Sequence, residues 1–584
     1  MPRHPSIRRF TFAVMVFAFA GLGAAILWRI APRETSIRTE SAANGTRRAA
    51  ASSSNLSQPL TAREVCQRLV RPAGATTVAS GTADNPPPPD VAHLDDQPAP
   101  SDGHWAFAKP VSPSIPEVRH PAWANNQIDR FVLVRLDAER LIPSPLADRT
   151  SLVRRLSLDL IGLPPSPADV DDVVADPAPD ALERLTDRLF ASPHFGEKWA
   201  IRWLDLARYA DSNGFEFDAV RSMWLYRDWV IAALNSDMPF DQFTAEQLAG
   251  DLLPGADVQQ RVATGFLRCS PVAPDIATHR FDMIVDRVNT VGTTWLGLTV
   301  SCAQCHDHPF DPITQQEYFE LYAIFNNSVD EVDGATYAGK EVTAASPLTG
   351  VRATTLVIAE RPQPNVTHFK IRGAPEADGD VVAPAVPKFL HPARCSGEDR
   401  LALACWLIDD DNPLTGRVTV NRLWESLFGA GLVRTSDDFG TRGENPTHPE
   451  LLDWLAVEFR QSGWSQKRML RAMVASSTYR QAARTTPELL ERDPQNRLLA
   501  RGPRFRVDAE LIRDIALAAS GLLADRLGGP SVFPWQPPGT SENLEFAAFA
   551  WNVNPDDNRY RRGIYTHWKR TALYPTFVLF DAPN

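Results

Sequence analysis

Cysteine is scarce, with six residues in a chain of 584. So few cysteines exclude a small scaffold built on disulfides. An excess of positive charge is missing as well. Lys and Arg number 60 against 71 Asp and Glu, a formal net charge of −11. That excludes a nucleic-acid binder, which needs a basic face to neutralise phosphates. No internal repeat is present. Long apolar runs are absent apart from one near the N-terminus. Proline, by contrast, is plentiful at 49 residues, above the usual ~5%, and much of the excess sits in one stretch. Apolar residues at 43% and charged residues at 22% are those of a globular chain with a sizeable core.

Arg3, Arg8 and Arg9 precede an uncharged stretch from Phe10 to Trp28, and Arg29 and Arg33 follow it. As a helix this stretch spans roughly 28 Å, about the hydrocarbon thickness of a bilayer. A cleaved signal peptide has a shorter apolar region and small residues at the cut. Ala24-Ala25 is a poor version of such a site, since bulky Ile26, Leu27 and Trp28 follow. Residues 1–30 are therefore expected to be an uncleaved membrane anchor, with secretion as the outcome if the segment is cut. The slightly greater positive charge before the run keeps that end inside and places the body in the cell envelope or periplasm. Residues 31–101 are rich in Ala, Ser, Thr and Pro, including Pro86-Pro87-Pro88-Pro89. They read as a stiff, largely disordered stalk, interrupted by a short helix around Ala62–Leu69.

From Trp123 the pattern turns helical. Ile128, Phe131, Val132 and Leu136 share one helical face. Further helices are expected at 148–160, 167–174, 180–190, 197–209, 224–235, 241–248, 258–267 and 281–295. Residues 102–330 thus read as one helical domain. Residues 331–395 differ. Thr354-Thr-Leu-Val-Ile-Ala and Thr367-His-Phe-Lys-Ile-Arg are short, β-branched and alternating, and they flank a proline-containing turn. They predict a small hairpin, to which Gly379-Asp-Val-Val would add a strand. Helices return at 399–408, 416–427, 449–461, 466–476 and 508–523. Thr447-His-Pro-Glu450 reads as a capping box for the third of these. The fold class is mainly α: a helical domain, a small β connector and a second helical domain over 396–584.

Cys302-Ala-Gln-Cys305-His306 is the attachment pattern for a c-type haem. Two thiols three apart on one turn reach the two vinyl groups of one porphyrin, and the next residue supplies an axial nitrogen. Three other readings compete. A C-x-x-C pair can be half of a zinc site, but Cys269, Cys395 and Cys405 are scattered and no second pair closes it. A redox dithiol and a plain disulfide also remain. One covalent haem c is the leading reading, with Cys302 and Cys305 as thioethers and His306 as the iron ligand. The sixth ligand is not singled out. Met283, His279, His194, His368 and His448 all have suitable chemistry, and each also reads as an ordinary packed or solvated side chain. His308 reads as a local cap.

Around these residues the chain resembles a known pair of domains. Trp203-Leu-Asp-Leu-Ala-Arg-Tyr-Ala-Asp-Ser212, Gln247-Leu-Ala-Gly-Asp-Leu-Leu-Pro254 and Cys302-Ala-Gln-Cys-His-Asp-His-Pro-Phe-Asp-Pro312 resemble a cytochrome-c-type domain of planctomycetes. Val420-Asn-Arg-Leu-Trp, Asp438-Phe-Gly, Pro446-Thr-His-Pro-Glu-Leu-Leu-Asp-Trp-Leu455 and Arg561-Arg-Gly-Ile-Tyr-Thr-His-Trp-Lys-Arg570 resemble its usual C-terminal partner. The resemblance implies exported haem c proteins in hosts rich in polysaccharide-degrading enzymes, and both domains are of unknown function. Many members of that family carry another haem domain upstream, where this chain has only Cys66, so a second haem is not expected; their partner domain continues past the Phe580-Asp-Ala-Pro segment.

Two other constellations have functional and structural readings. Asp205, Arg208, Asp211, Glu216, Asp218, Arg221, Arg227 and Asp228 stand beside Trp203, Tyr209, Trp224 and Trp229. They could line a polar pocket with aromatic platforms for a sugar ring, or form a buried network that fixes helix packing. Asp437, Asp438, Glu444 and His448 could serve acid–base chemistry or bind a divalent cation, or could simply shape a loop. Asp307 and Asp311 flank the haem motif and could tune it or turn the chain. The expected function is electron transfer, or haem-dependent oxidoreductase activity, with an unknown redox partner and a possible link to polysaccharide breakdown. The alternative is a non-catalytic glycan-binding scaffold of the envelope, with structural haem or a Cys302–Cys305 disulfide.

Overall fold

The computed structural model describes residues 62–69, 103–215, 218–272, 276–329, 340–395, 397–540 and 549–582. The expected anchor over 1–30, nearly all of the stalk and Glu216 lie outside them. Among the described residues no helix is long and apolar enough to cross a membrane.

Helices start where side chains satisfy the free backbone N–H groups of the first turn. Helix α1 is Ala62–Leu69, as the sequence predicts. Asn126 opens α2 (Gln127–Ala138) with a reciprocal box to Asp129, and Ile128, Phe131, Val132 and Leu136 are buried. Asp148 caps α3 (Arg149–Ile161) at Ser151 N, and Gly162 ends it at φ +70°. Helices α4 (His194–Leu206), α5 (Trp224–Asn235) and α6 (Phe240–Ala249) follow. Helix α7 (Ile276–Val291) runs on into a π turn, Gly292–Leu296, that stops at Gly297. Gly297 has φ +58°, and a Cβ there would stand 2.9 Å from Val418 Cγ2. Only glycine combines that conformation with that approach. Helix α8 is Gln315–Asn326, opened by a Thr314–Glu317 box.

The connector holds two separate antiparallel pairs. Strand β1 (Lys340–Ala345) pairs with β2 (Arg352–Val357), Lys340 opposite Val357. Strand β3 (Thr367–Lys370) pairs with β4 (Asp378–Val382), Thr367 opposite Val382. The expected hairpin between 354–359 and 367–372 is therefore not formed, because its two halves belong to different sheets. The strand expected at Gly379 is present as β4.

Beyond it stand α9 (Arg400–Leu407), α10 (Thr415–Phe428), α11 (Pro449–Gln461), α12 (Gln466–Ala475) and α13 (Ala509–Ala519). The capping box expected at Thr447 is absent: His448 holds the cap position without a side-chain bond. The backbone N–H of Thr447 goes instead to Leu432 O at 2.9 Å, which turns this residue toward the preceding loop. One apolar core joins both halves, with Phe131, Trp295, Trp424, Trp464 and Tyr565 among its buried members. A smaller cluster holds α1 against α6 and α9, where Cys66 and Cys405 form a disulfide. Sequence spacing marked both cysteines as isolated, and the fold brings them together across 339 residues.

Candidate functional site

After Gly297 the chain makes one tight turn, Val300–Gln304. Val300 and Ala303 are buried beneath it, while Cys302, Cys305 and His306 are exposed. Both thiols are free. Gln315 at the start of α8 holds the turn, since its Nε2 donates to Gln304 O at 2.8 Å and to Lys370 O at 3.0 Å. The loop after β3 closes on the second thiol. Gly373, at φ +69°, leaves room for it, and a Cβ there would lie 2.7 Å from Cys305 Sγ.

His306 Nδ1 lies 2.6 Å from Asp307 O. A carbonyl only accepts, so Nδ1 carries the proton and Nε2 keeps its lone pair. His308 is the reverse. Its Nδ1 accepts from Asp311 N at 2.8 Å, and the ring is buried, so it caps the turn locally as the sequence suggested. Asp307 accepts from Gln315 N at 2.7 Å. Asp307 thus shapes the chain locally, whereas the Asp311 carboxylate bonds outside the motif.

The 437–444 loop docks on this motif. Phe439 N donates to Gly297 O at 2.7 Å, and Thr441 N donates to Asp311 Oδ1 at 2.7 Å. Arg442 lies over the Phe310 ring at 4.6 Å. Burial, with the Asp311 charge beside it, pushes the Asp438 carboxyl up. The rest of the expected acid–base set disperses. Asp437 pairs with Arg422 at 2.9 Å and Glu444 with Arg497 at 2.7 Å. His448 is buried, its Nε2 has no partner among the described residues, and burial drives its pKa down to about 3. Gly440→Ala is expected to cost about 1–3 kcal/mol through overpacking. A Cβ there would stand 2.3 Å from Asp311 Oδ2. Urea unfolding measures the loss, and wild-type stability would mean that the two loops part freely.

The candidate sixth ligands are each held elsewhere. Met283 packs on Val272. His279 faces Asp282 at 3.5 Å, and His194 bonds Glu197 at 2.7 Å. His368 Nδ1 meets Gly379 O at 3.0 Å, and His448 Nδ1 meets Thr447 Oγ1 at 3.0 Å.

Most of the Asp–Arg set forms the packing network. Arg221 donates to Cys269 O and Ser270 O, both at 2.9 Å. Asp211 accepts from Trp568 N at 2.9 Å, and Asp228 accepts from Gly529 N at 2.7 Å. Arg208 pairs with Asp286. Arg227 reaches Ser531 Oγ at 3.0 Å, and Asp218 accepts from Thr571 N at 3.0 Å. Asp205 is different. With Trp199 and Trp203 it lines a cavity of about 340 Å³ between α4 and α10, whose other wall carries Arg422, Glu425 and Ser426. Cys302, Cys305 and His306 do not line this cavity. Sequence reasoning missed Arg422 and Glu425, although their spacing of three puts them on one helical face.

Residues 127–330 match the PSCyt2 family, described as a protein of unknown function (DUF1549). Residues 399–584 match the PSD1 family, described as a protein of unknown function (DUF1553). The chain carries these two domains in that order, the order that the resemblance implied. No curated protein and no solved structure matches it.

Proposed function

We propose that this is an exported c-type cytochrome-like protein whose single haem is held by Cys302, Cys305 and His306. The observation that carries the reading is one exposed turn with two free thiols, followed by a histidine whose Nδ1 is committed to a carbonyl. A hydrogen bond of that kind fixes the tautomer and aims the basic Nε2 outward for a metal. The donor set therefore fits the group. Haem, when bound, supplies a one-electron couple. The chain's own residues do the positioning. Asp307 O orients His306, Gln315 fixes the turn, and Gly373 leaves space for Cys305 Sγ. Phe310 and Ile371 are exposed apolar side chains on the two loops that flank the thiols. Electron transfer to a redox partner is the favoured role, because the thiols and His306 are solvent-facing rather than enclosed.

Export through the N-terminal segment is part of the same reading. The Cys66–Cys405 disulfide supports it, since such bonds persist in oxidising compartments.

The test is a pyridine haemochrome spectrum of protein exported together with a c-type haem maturation system. Covalent haem is expected in the wild type and is expected to vanish in Cys302→Ala/Cys305→Ala. His306→Ala is expected to keep the thioether linkage and change the ferric spectrum. Well-folded protein without covalent haem would overturn the proposal and leave the glycan-binding scaffold reading.

A further inference from the structure

The cavity between α4 and α10 has no part in holding a haem. It lies between the two matched domains, a favoured place for small-molecule sites, and its volume is in their range. Its chemistry narrows the ligand. Both arginines of the lining are already matched. Arg202 pairs with Asp508 at 2.7 Å. Arg422 pairs with Asp437 at 2.9 Å and donates to Thr293 O at 2.7 Å. Glu425 accepts from Ser436 Oγ at 2.7 Å and has further lone pairs to offer. Burial, reinforced by neighbouring Glu510, pushes the Asp205 carboxyl well above the usual range. The Glu425 carboxylate acts electrostatically on both arginines as well. An anion would have to displace a carboxylate from an arginine.

The remaining walls are aromatic and aliphatic, with Trp199, Trp203 and Phe240 among them. Trp203 Nε1 is occupied by Gln247 Oε1 at 2.7 Å. Trp199 is 7% exposed, and its buried Nε1–H has no acceptor among the described residues. A ligand with hydroxyl groups that both donate and accept, and with apolar C–H faces, fits such a lining. We propose that this cavity binds an uncharged saccharide, with Trp199 and Trp203 as its apolar walls and Asp205, Arg422 and Glu425 as its hydrogen-bonding groups. The site is independent of the haem.

The experiment titrates the full chain with neutral gluco-, manno-, xylo- and galacto-oligosaccharides of two to six units, and with oligogalacturonate and a sulfated oligosaccharide for contrast. Tryptophan fluorescence and calorimetry are the readouts. At least one neutral oligosaccharide is expected to bind saturably. Glu425→Gln is expected to weaken it at least tenfold with an unchanged melting temperature. Ser426→Trp, which fills the cavity, is expected to abolish it. Cys302→Ala/Cys305→Ala is expected to bind as wild type does. The proposal is overturned if every neutral oligosaccharide fails at millimolar concentration, if an anionic one binds in preference, or if binding survives both cavity variants.

Discussion

Arg562→Met is expected to destabilise the protein by about 3–5 kcal/mol at pH 7, the cost of stranding buried charge. Arg562 links the two matched domains. Its Nη1 donates to Glu197 Oε2 at 2.7 Å and its Nε to Asp514 Oδ2 at 2.7 Å. Tyr565 OH donates to Glu197 Oε1 at 2.5 Å, and Gly563 N donates to Asp514 Oδ1 at 2.6 Å. All three charged side chains are nearly inaccessible. Methionine matches the volume of the arginine stem but leaves two carboxylates in the core.

The pH dependence is a second readout. Burial alone would raise Glu197, but the Arg562 charge, His194 and Tyr565 outweigh it and hold the carboxyl at about 2, against an ordinary 4.5. A depressed carboxyl stabilises the fold fully above its unfolded value and loses that contribution as pH falls toward its folded value. The gap between wild type and variant is therefore expected to be wide at pH 7 and narrower at pH 3. Asp514, where burial wins and the pKa is raised, works in the opposite direction. Adding Glu197→Gln and Asp514→Asn is expected to recover part of the loss. A gap below about 1 kcal/mol in urea unfolding at pH 7 would show that the pair is solvated rather than buried.

Replacing Cys66 and Cys405 by alanine is expected to cost about 2–4 kcal/mol. The bond closes a loop of 339 residues in sequence separation, so it removes much freedom from the unfolded chain. It also holds α1 in place. With eight residues, α1 is too short to persist as an isolated helix and depends on its contacts with α6 and α9. The double variant is therefore expected to be clipped by protease between 62 and 69 faster than wild type. Thiol titration under denaturing, non-reducing conditions gives a direct count, with four reactive cysteines expected in the haem-free protein. Six would sink the assignment.

The helices were legible because their signals are local. Caps at Asn126, Asp148 and Thr314, and the apolar spacing of α2, act within a few residues of where they are read. The hairpin was misread for a related reason. The true partner of β2 is Lys340–Ala345, a polar and alanine-rich segment with little strand character of its own. The C-x-x-C-H pattern is visible in five consecutive residues, Cys302 to His306, but its seat is not. Asp311 and Thr441 meet across 130 residues, and no spacing rule announces that. The cavity is harder still, since its two walls come from helices more than 200 residues apart. The Asp–Arg set was readable as charge but not as connectivity. Only the fold shows that Asp205 faces a cavity while Asp211 and Asp228 bond backbone N–H groups near the C-terminal end.

The Cys66–Cys405 bond also fixes how the protein would carry load. A pull applied at the N-terminal end passes through Cys66 directly into α9 and the second domain. The Cys302–His306 turn and all of the first matched domain lie in the bypassed loop, so tension reaching residue 66 does not run along their backbone. Tension entering at residue 66 would thereby leave the Cys302–His306 turn mechanically quiet.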